Sequence, residues 1–239
     1  MQFSKRMERL ETSVFSTLDE EKQRYLKQGK EVYDFTIGSP NIAPSKEIIQ
    51  ALIDAAKQPQ SYMYALHDID ELRQTVKKWY QTRYEVELDA DTEILSLQGS
   101  QEGLAHIALA ICDEGDIVLI PSPSYPVFAN GPKIAGAKIY EMPMCEEHEY
   151  LIQFDEIPED IARKAKMMII SYPNNPTGAT APDAFYEELI RFAKANDIIV
   201  LHDTAYSNLV FDGEEGRSFL YYEGAKDIGI ESVSYTHLR

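Results

Sequence analysis

The most informative segment of this sequence is IIVLHDTAY, residues 198–206. Four apolar residues, Ile198 to Leu201, run without alternation and stop at His202 and Asp203. An apolar run of this kind is typical of a strand that is buried on both faces of a parallel sheet. Asp203 then lies at the carboxyl end of the strand, where open α/β sheets bind their ligands. Because a buried carboxylate is costly without a partner, the pattern predicts a cationic or hydrogen-bonding group beside it.

The segments on either side of this strand alternate short apolar runs with helical periodicity. We predict further strands over residues 94–98, 116–122, 137–143, 166–171 and 229–232, and helices over 99–113, 126–136, 155–165 and 182–196. Nearer the N-terminus we predict an amphipathic helix within 1–30, a strand over 32–37 that ends in a turn at 38–41, and helices over 45–57 and 70–84. Strands that are joined by helix-length crossovers form parallel sheets with helices on both faces. The sequence therefore predicts an α/β fold, a three-layer α/β/α sandwich with a mainly parallel sheet.

The composition is that of an acidic globular chain. It has 239 residues, 44% of them hydrophobic, and a formal net charge of -17. This charge argues against nucleic acids and anionic membranes as partners, since both select basic surfaces. Cys112 and Cys145 lack the spacing of metal ligands, and we expect Cys112 to be a buried thiol. No apolar run suits a membrane span or a signal peptide, so we expect a soluble cytoplasmic protein.

Four predicted strand ends carry polar or aromatic groups. The sequence GSQ at 99–101 leads straight into a helix, whose N-terminal amides form either a phosphate cradle or an ordinary helix cap. Tyr125 follows the next strand, and its ring either stacks on a ligand or packs within the protein. Asn175 is bracketed by two prolines in the turn YPNNPTG, and Tyr206 adds a hydroxyl group three residues after Asp203. A phosphate cradle, an aromatic ring, an amide, a phenol and a carboxylate together suit one ligand, pyridoxal 5'-phosphate.

The sequence also resembles the fold-type I aminotransferases of class I/II, in a branch similar to LL-diaminopimelate and related amino-acid aminotransferases. The resemblance extends from about Phe35 to Glu231. It rests on SYPNNPTGAT at 171–180 and VLHDTAYSNLVFDG at 200–213, supported by GSQEGL at 99–104 and PSPSYPVF at 121–128.

The resemblance implies a role for each polar residue at the strand ends. The cofactor phosphate would be held by Gly99, Ser100 and Gln101. Tyr125 would stack on the cofactor ring, and Asp203 would meet its pyridine nitrogen. The ring oxygen would be bound by Asn175 and Tyr206. Gly38 and Asn175 would lie against the substrate. In a homodimer, Tyr64 rather than Tyr62 would reach the phosphate of the neighbouring subunit, although Asp68 stands where the family has glycine.

The resemblance also predicts the domain boundaries. Residues 1–40 would form an N-terminal arm and part of a small domain, and 41–232 a truncated large cofactor-binding domain. Residues 233–239, VSYTHLR, match a translated transposon-type sequencing adapter, so we expect them to be an artefactual tail. In the family two later strands separate 94–98 from 198–201, and we expect only the first of them here, at 229–232.

The lysine that forms the Schiff base in this family has no counterpart. It follows the strand at 229–232, whereas the last lysine of this sequence is Lys226, before that strand. The arginine that binds the substrate carboxylate is absent as well. We therefore expect the parent protein to be a pyridoxal-phosphate aminotransferase, which transfers an amino group between an amino acid and a 2-oxo acid, and this fragment to be inactive. A C–S lyase or another pyridoxal enzyme of the same fold, and a non-catalytic cofactor-binding domain, stay open as alternatives.

Overall fold

The computed structural model describes residues 3–10, 14–36, 38, 42–211 and 216–234. Within them lies one sheet of five parallel strands in the order β2-β1-β3-β4-β5: β1 (Ile117–Ser122), β2 (Lys138–Pro143), β3 (Ala165–Ser171), β4 (Ile199–Asp203) and β5 (Gly229–Ser232). The α-helices of the described chain are α1 (Val14–Lys27), α2 (Lys46–Ala56), α3 (Asp70–Tyr84), α4 (Ser100–Ile111), α5 (Val127–Ala135), α6 (Glu159–Ala162) and α7 (Asp183–Asn196). The predicted parallel α/β fold is confirmed.

Strand β3 shows how the sheet is layered. Met167 and Ile169 pack with α4 and α5 on one face, whereas Met168 and Ile170 pack with α7 on the other. All four side chains are fully buried. Because successive side chains of a strand point to opposite faces, helices cover both sides of this strand. The unbroken apolar run thus reflects a three-layer α/β/α sandwich, as predicted.

The strand order creates a topological switch point at the carboxyl edge of the sheet. The chain passes from β1 outward to β2 and then returns to the other side of β1 to form β3. Loops that leave two strands at such a reversal diverge, and ligands of open α/β sheets bind between them. Here those loops contain residues 123–126 after β1 and 172–178 after β3.

The predicted strand over 94–98 is wrong, because this segment is irregular. A strand forms only where a neighbouring backbone pairs with it, and in the described chain it is β5 that pairs with the outer edge of β4. Side chains bind two of its amide groups instead. The Ser96 N–H donates to Asp68 at 2.8 Å, and the Gln98 N–H donates to Glu102 at 2.6 Å.

Two other predicted elements also differ. Residues 32–36 are irregular, while Ile37 and residues 39–41 of the predicted turn lie outside the described residues, as does 235–239 of the predicted tail. The predicted helix over 155–165 is instead a short 3-10 helix, Phe154–Glu156, followed by the single turn α6. Pro158 separates the two, because proline has no N–H for a continuous helix.

The first two α-helices differ from the later ones in burial. Neither α1 nor α2 has a buried residue, and Leu52 on the predicted apolar face of α2 is 71% exposed. By contrast, α3 packs through Tyr80 and Tyr84 against Val86 and Leu88. Over the described ranges, no helix combines the length and the hydropathy that a membrane span requires.

Candidate cofactor site

Asp203 is the last residue of β4 and lies at the carboxyl edge of the sheet, in register with Ser171 of β3 and Ser232 of β5. Its side chain is buried, and among the described residues its Oδ1 atom has no hydrogen-bond partner. Burial raises the pKa of Asp203 to about 6, although the charge of His202 and the Ala205 N–H both act to lower it. A buried carboxylate oxygen without a partner is costly, so this atom fits an N–H donor supplied by a ligand.

Tyr125 follows β1 and lies in the same electrostatic neighbourhood as Asp203. Its hydroxyl group donates to Oε1 of Gln101 at 2.9 Å, and its ring makes an edge contact with Phe128. Burial raises the pKa of Tyr125, and the nearby Tyr206 and Asp203 raise it further. The loop after β1, the start of α4 and the end of β4 therefore meet at one place.

The turn after β3 holds Asn175 in a fixed position. Asn174 is buried, and its Oδ1 atom accepts hydrogen bonds from the Thr177 N–H at 3.2 Å and the Thr177 hydroxyl at 2.9 Å. A backbone bond from Gly178 to Asn174 closes the turn. Asn175 is thereby free to face Tyr206, and its Nδ2 atom donates to the Tyr206 hydroxyl oxygen at 3.3 Å. An amide from the turn after β3 thus meets a phenol that follows Asp203 by three residues.

The start of α4 presents backbone N–H groups beside Gln101. Gly99 precedes the helix with φ of 87°, a conformation that favours glycine, and α4 begins directly at Ser100. The first amides of a helix have no partner within it, and together with the helix dipole they attract anions. Because Gln101 is bonded to Tyr125, this end of the helix adjoins the aromatic ring.

Three other residues of the sequence prediction lie apart from these contacts. Tyr64 is 88% exposed and Gly38 is also exposed, and no contact of the described residues joins either one to Asp203. Lys226 precedes β5 and therefore lies at the amino edge of the sheet, opposite Asp203. Its Nζ atom donates to the Glu87 carbonyl oxygen and to the Glu93 carboxylate, each at 2.9 Å.

Sequence reasoning missed a buried pair behind Asp203. Its members are His202 and Glu231, which face each other across β4 and β5. The signal in the sequence was a histidine inside an apolar strand together with an acidic residue in a second strand. Their proximity could not be predicted, because it depends on the register between two strands that are distant in sequence.

Comparisons with known proteins identify the family of this chain. The family described as aminotransferase class I and II matches residues 30–233. An LL-diaminopimelate aminotransferase of Halothermothrix orenii is 44% identical to this chain, and the match covers 97% of this chain and 60% of the relative. An LL-diaminopimelate aminotransferase of Aquifex aeolicus is 41% identical, and the match covers 99% of this chain and 62% of the relative. Among solved structures, substrate-bound BacF from Bacillus subtilis has a TM-score of 0.93 at 31% identity, covering 99% of this chain and 60% of its own. The chain spans about 60% of the length of the curated relatives that it matches.

Proposed function

Because the chain belongs to the family of class I and II aminotransferases, we propose that its cleft binds pyridoxal phosphate. The observation that carries the proposal is the buried Oδ1 atom of Asp203, which has no hydrogen-bond partner in the described chain. A protonated pyridine nitrogen supplies the charge and the donor that this oxygen needs. The residues that surround it suit the other parts of the same cofactor.

Each part of the cofactor has a counterpart in the cleft. The amides of Gly99, Ser100 and Gln101 at the start of α4 would hold the phosphate group. The Tyr125 ring would cover one face of the pyridine ring, and Asn175 and Tyr206 would bind the ring oxygen. When bound, the cofactor supplies an electron sink for the carbon atom that bears the amino group. Asp203 would serve that chemistry by holding a proton on the ring nitrogen.

We further propose that the chain is part of an enzyme that transfers an amino group between an amino acid and a 2-oxo acid. Its relatives are named LL-diaminopimelate aminotransferases, which supports a diamino dicarboxylic acid as one substrate. In this proposal Gly38 lies against the substrate carboxylate and Tyr64 reaches the phosphate in a partner subunit of a homodimer. Residues 1–40 belong to the arm and small domain, 41–232 to the large domain, and 233–239 to the artefactual tail.

The position of Lys226 supports a further part of the proposal. Its amine is bonded to Glu87 and Glu93 at the amino edge of the sheet, so it cannot reach the cleft. We infer that this 239-residue chain holds the cofactor without a covalent bond and does not itself catalyse transamination.

Binding of pyridoxamine 5'-phosphate tests the proposal, since this form of the cofactor needs no lysine. We expect the chain to bind it, and we expect Asp203→Ala to weaken binding about tenfold or more, because a buried charged hydrogen bond contributes about 1.5–3 kcal/mol. The control is Asp116→Asn, before β1 at the amino edge of the sheet, and it should leave the affinity unchanged. Titration calorimetry measures all three. Equal affinities of the chain and Asp203→Ala would refute the proposal.

A further inference from the structure

His202 lies on the face of the sheet opposite Asp203. Its side chain is fully buried, and its ring makes edge contacts with Tyr186 at 5.8 Å and Phe219 at 5.9 Å between centroids. Its Nε2 atom lies 3.2 Å from the carbonyl oxygen of Tyr172. Because a carbonyl oxygen can only accept a hydrogen bond, Nε2 carries the hydrogen atom.

Glu231 faces the other ring nitrogen of His202. Its Oε2 atom is 3.8 Å from Nδ1, and the two side chains are 0% and 2% exposed. The Tyr80 hydroxyl donates to Oε1 at 2.8 Å, while the Ser218 hydroxyl and the Phe219 N–H donate to Oε2, each at 2.8 Å. Three hydrogen bonds from donors favour the ionised carboxylate and fix its position.

These contacts restrict the charge of the imidazole. If His202 were neutral with its hydrogen on Nε2, the lone pair of Nδ1 would point toward a buried anion. A second proton on Nδ1, an atom that has no hydrogen-bond partner among the described residues, would convert this repulsion into attraction. Among the described ion pairs, His202 is the basic residue that faces Glu231, at 3.8 Å. A buried carboxylate requires such a partner, because charges in a protein interior are stable only when they are paired.

We propose that Glu231 keeps His202 protonated, and that this buried pair is a positioning unit that holds Asp203 ionised for the cofactor nitrogen. The proposal rests on the function proposed above. The positive charge of His202 lowers the pKa of Asp203 and so opposes burial, which raises it to about 6. Without the unit, Asp203 would be more fully protonated near neutral pH and would meet the ring nitrogen as a neutral group.

The other titratable groups around His202 do not supply this charge. Tyr172 contacts it from the end of β3 and Tyr186 from α7, and burial raises the pKa of both phenols, so both are neutral. Tyr222 stacks on Tyr186, and burial raises its pKa as well. Among the described residues, Glu231 and Asp203 are therefore the two anions that interact with the ring.

Nitrogen-15 NMR of the histidine rings in the 239-residue chain tests the charge of His202. Loss of a signal in His202→Gln assigns the ring. At pH 7 we expect both nitrogens of His202 to show the protonated shift, and we expect Glu231→Gln to return the ring to the neutral pattern. A neutral ring in the unaltered chain would overturn the proposal.

Carbon-13 NMR of the Asp203 carboxyl group tests the consequence without any cofactor. His202→Gln should move its titration midpoint to a pH about one unit higher, which is a tenfold change in the proton equilibrium. The matched control is His148→Gln, since His148 faces Glu156 at 4.0 Å on the surface and both side chains are exposed. An unchanged midpoint in His202→Gln would overturn the proposal, and this result does not depend on whether Glu231→Gln folds.

The two proposals can fail separately. If the chain does not bind pyridoxamine phosphate but His202 is doubly protonated and the Asp203 midpoint shifts, the proposed function fails and the positioning unit stands as a charge network. If the chain binds the cofactor but His202 is neutral, the positioning unit fails and the proposed function stands.

Discussion

At the scale of single residues, Asp203 should stabilise the chain less than asparagine would. Its pKa is raised by burial from the ordinary 3.8 to about 6, so the folded state binds a proton more tightly than the unfolded state. This contribution to stability is complete below pH 3.8 and is lost as the pH rises through 6. The loss amounts to about 3 kcal/mol, since one pKa unit corresponds to about 1.4 kcal/mol.

We therefore predict that Asp203→Asn stabilises the unliganded chain at pH 8 by up to about 3 kcal/mol and changes little at pH 4. Urea unfolding at both values measures the difference. Asp116→Asn, at the amino edge of the sheet, serves as the control for removing one carboxylate. A destabilised Asp203→Asn at pH 8 would mean that burial is not the dominant influence on the carboxylate in the unliganded chain.

Asn175 and Tyr206 should act as one unit in cofactor binding, because the amide donates to the phenol oxygen at 3.3 Å. We predict that Asn175→Ala and Tyr206→Phe each weaken pyridoxamine phosphate binding, and that the double variant loses less than the sum. The coupling should be about 0.5–1.5 kcal/mol, the contribution of one hydrogen bond. Strictly additive losses in calorimetry would show that the two side chains act independently.

At the scale of secondary structure, sequence patterns predicted the strands that are buried on both faces. The runs in β3 and β4 are apolar throughout because helices cover both sides of the sheet. The segment 94–98, whose apolar residues are interrupted by Ser96, is not a strand, since pairing depends on a neighbour from a distant part of the chain. Similarly, the apolar face of α2 shows periodicity whether or not another element covers it.

The site could be predicted only in part, because contacts between distant segments depend on how the strands pair. Asp203, Asn175 and Tyr125 follow strands, and the carboxyl ends of parallel strands share one edge. His202 and Glu231 could not be paired from sequence, because a change of one residue in the register of β5 would separate them.

The contact between α4 and α5 depends on Gly131. A methyl group added there would lie 2.7 Å from the Leu104 carbonyl oxygen and 3.0 Å from that of Ala105. Both atoms belong to the backbone of α4, so the helices would have to move apart. We predict that Gly131→Ala destabilises the chain by about 1–3 kcal/mol in urea unfolding, as overpacking does.

Gly103→Ala is the matched control, since it too places a methyl group on a helix in this layer. That methyl group would meet the end of the Leu97 side chain, which is partly exposed and can rotate away. The change should be neutral or stabilise by up to about 1 kcal/mol through helix propensity. Equal effects of the two variants would refute a role for close helix contact.

At the scale of the whole molecule, apolar surface is distributed unevenly. Buried hydrophobic residues of the described chain begin at Tyr80, whereas large exposed ones are concentrated before Ser100. The latter include Leu52 on α2, 71% exposed, and Leu95, 80% exposed. Soluble chains rarely expose so many large apolar groups unless they form an interface.

We predict that the chain self-associates through this N-terminal apolar surface. Its net charge of -17 opposes association, and salt screens that repulsion, so association should strengthen as ionic strength rises. Light scattering from 0.05 to about 0.5 M salt would measure the change.

Leu52→Glu should weaken association because it places a charge within the apolar surface. Ala184→Glu adds the same charge on the exposed side of α7 and is the control. If both variants weaken association equally, net charge alone controls it. If association weakens as salt is added, ion pairs rather than apolar contacts hold the chains together.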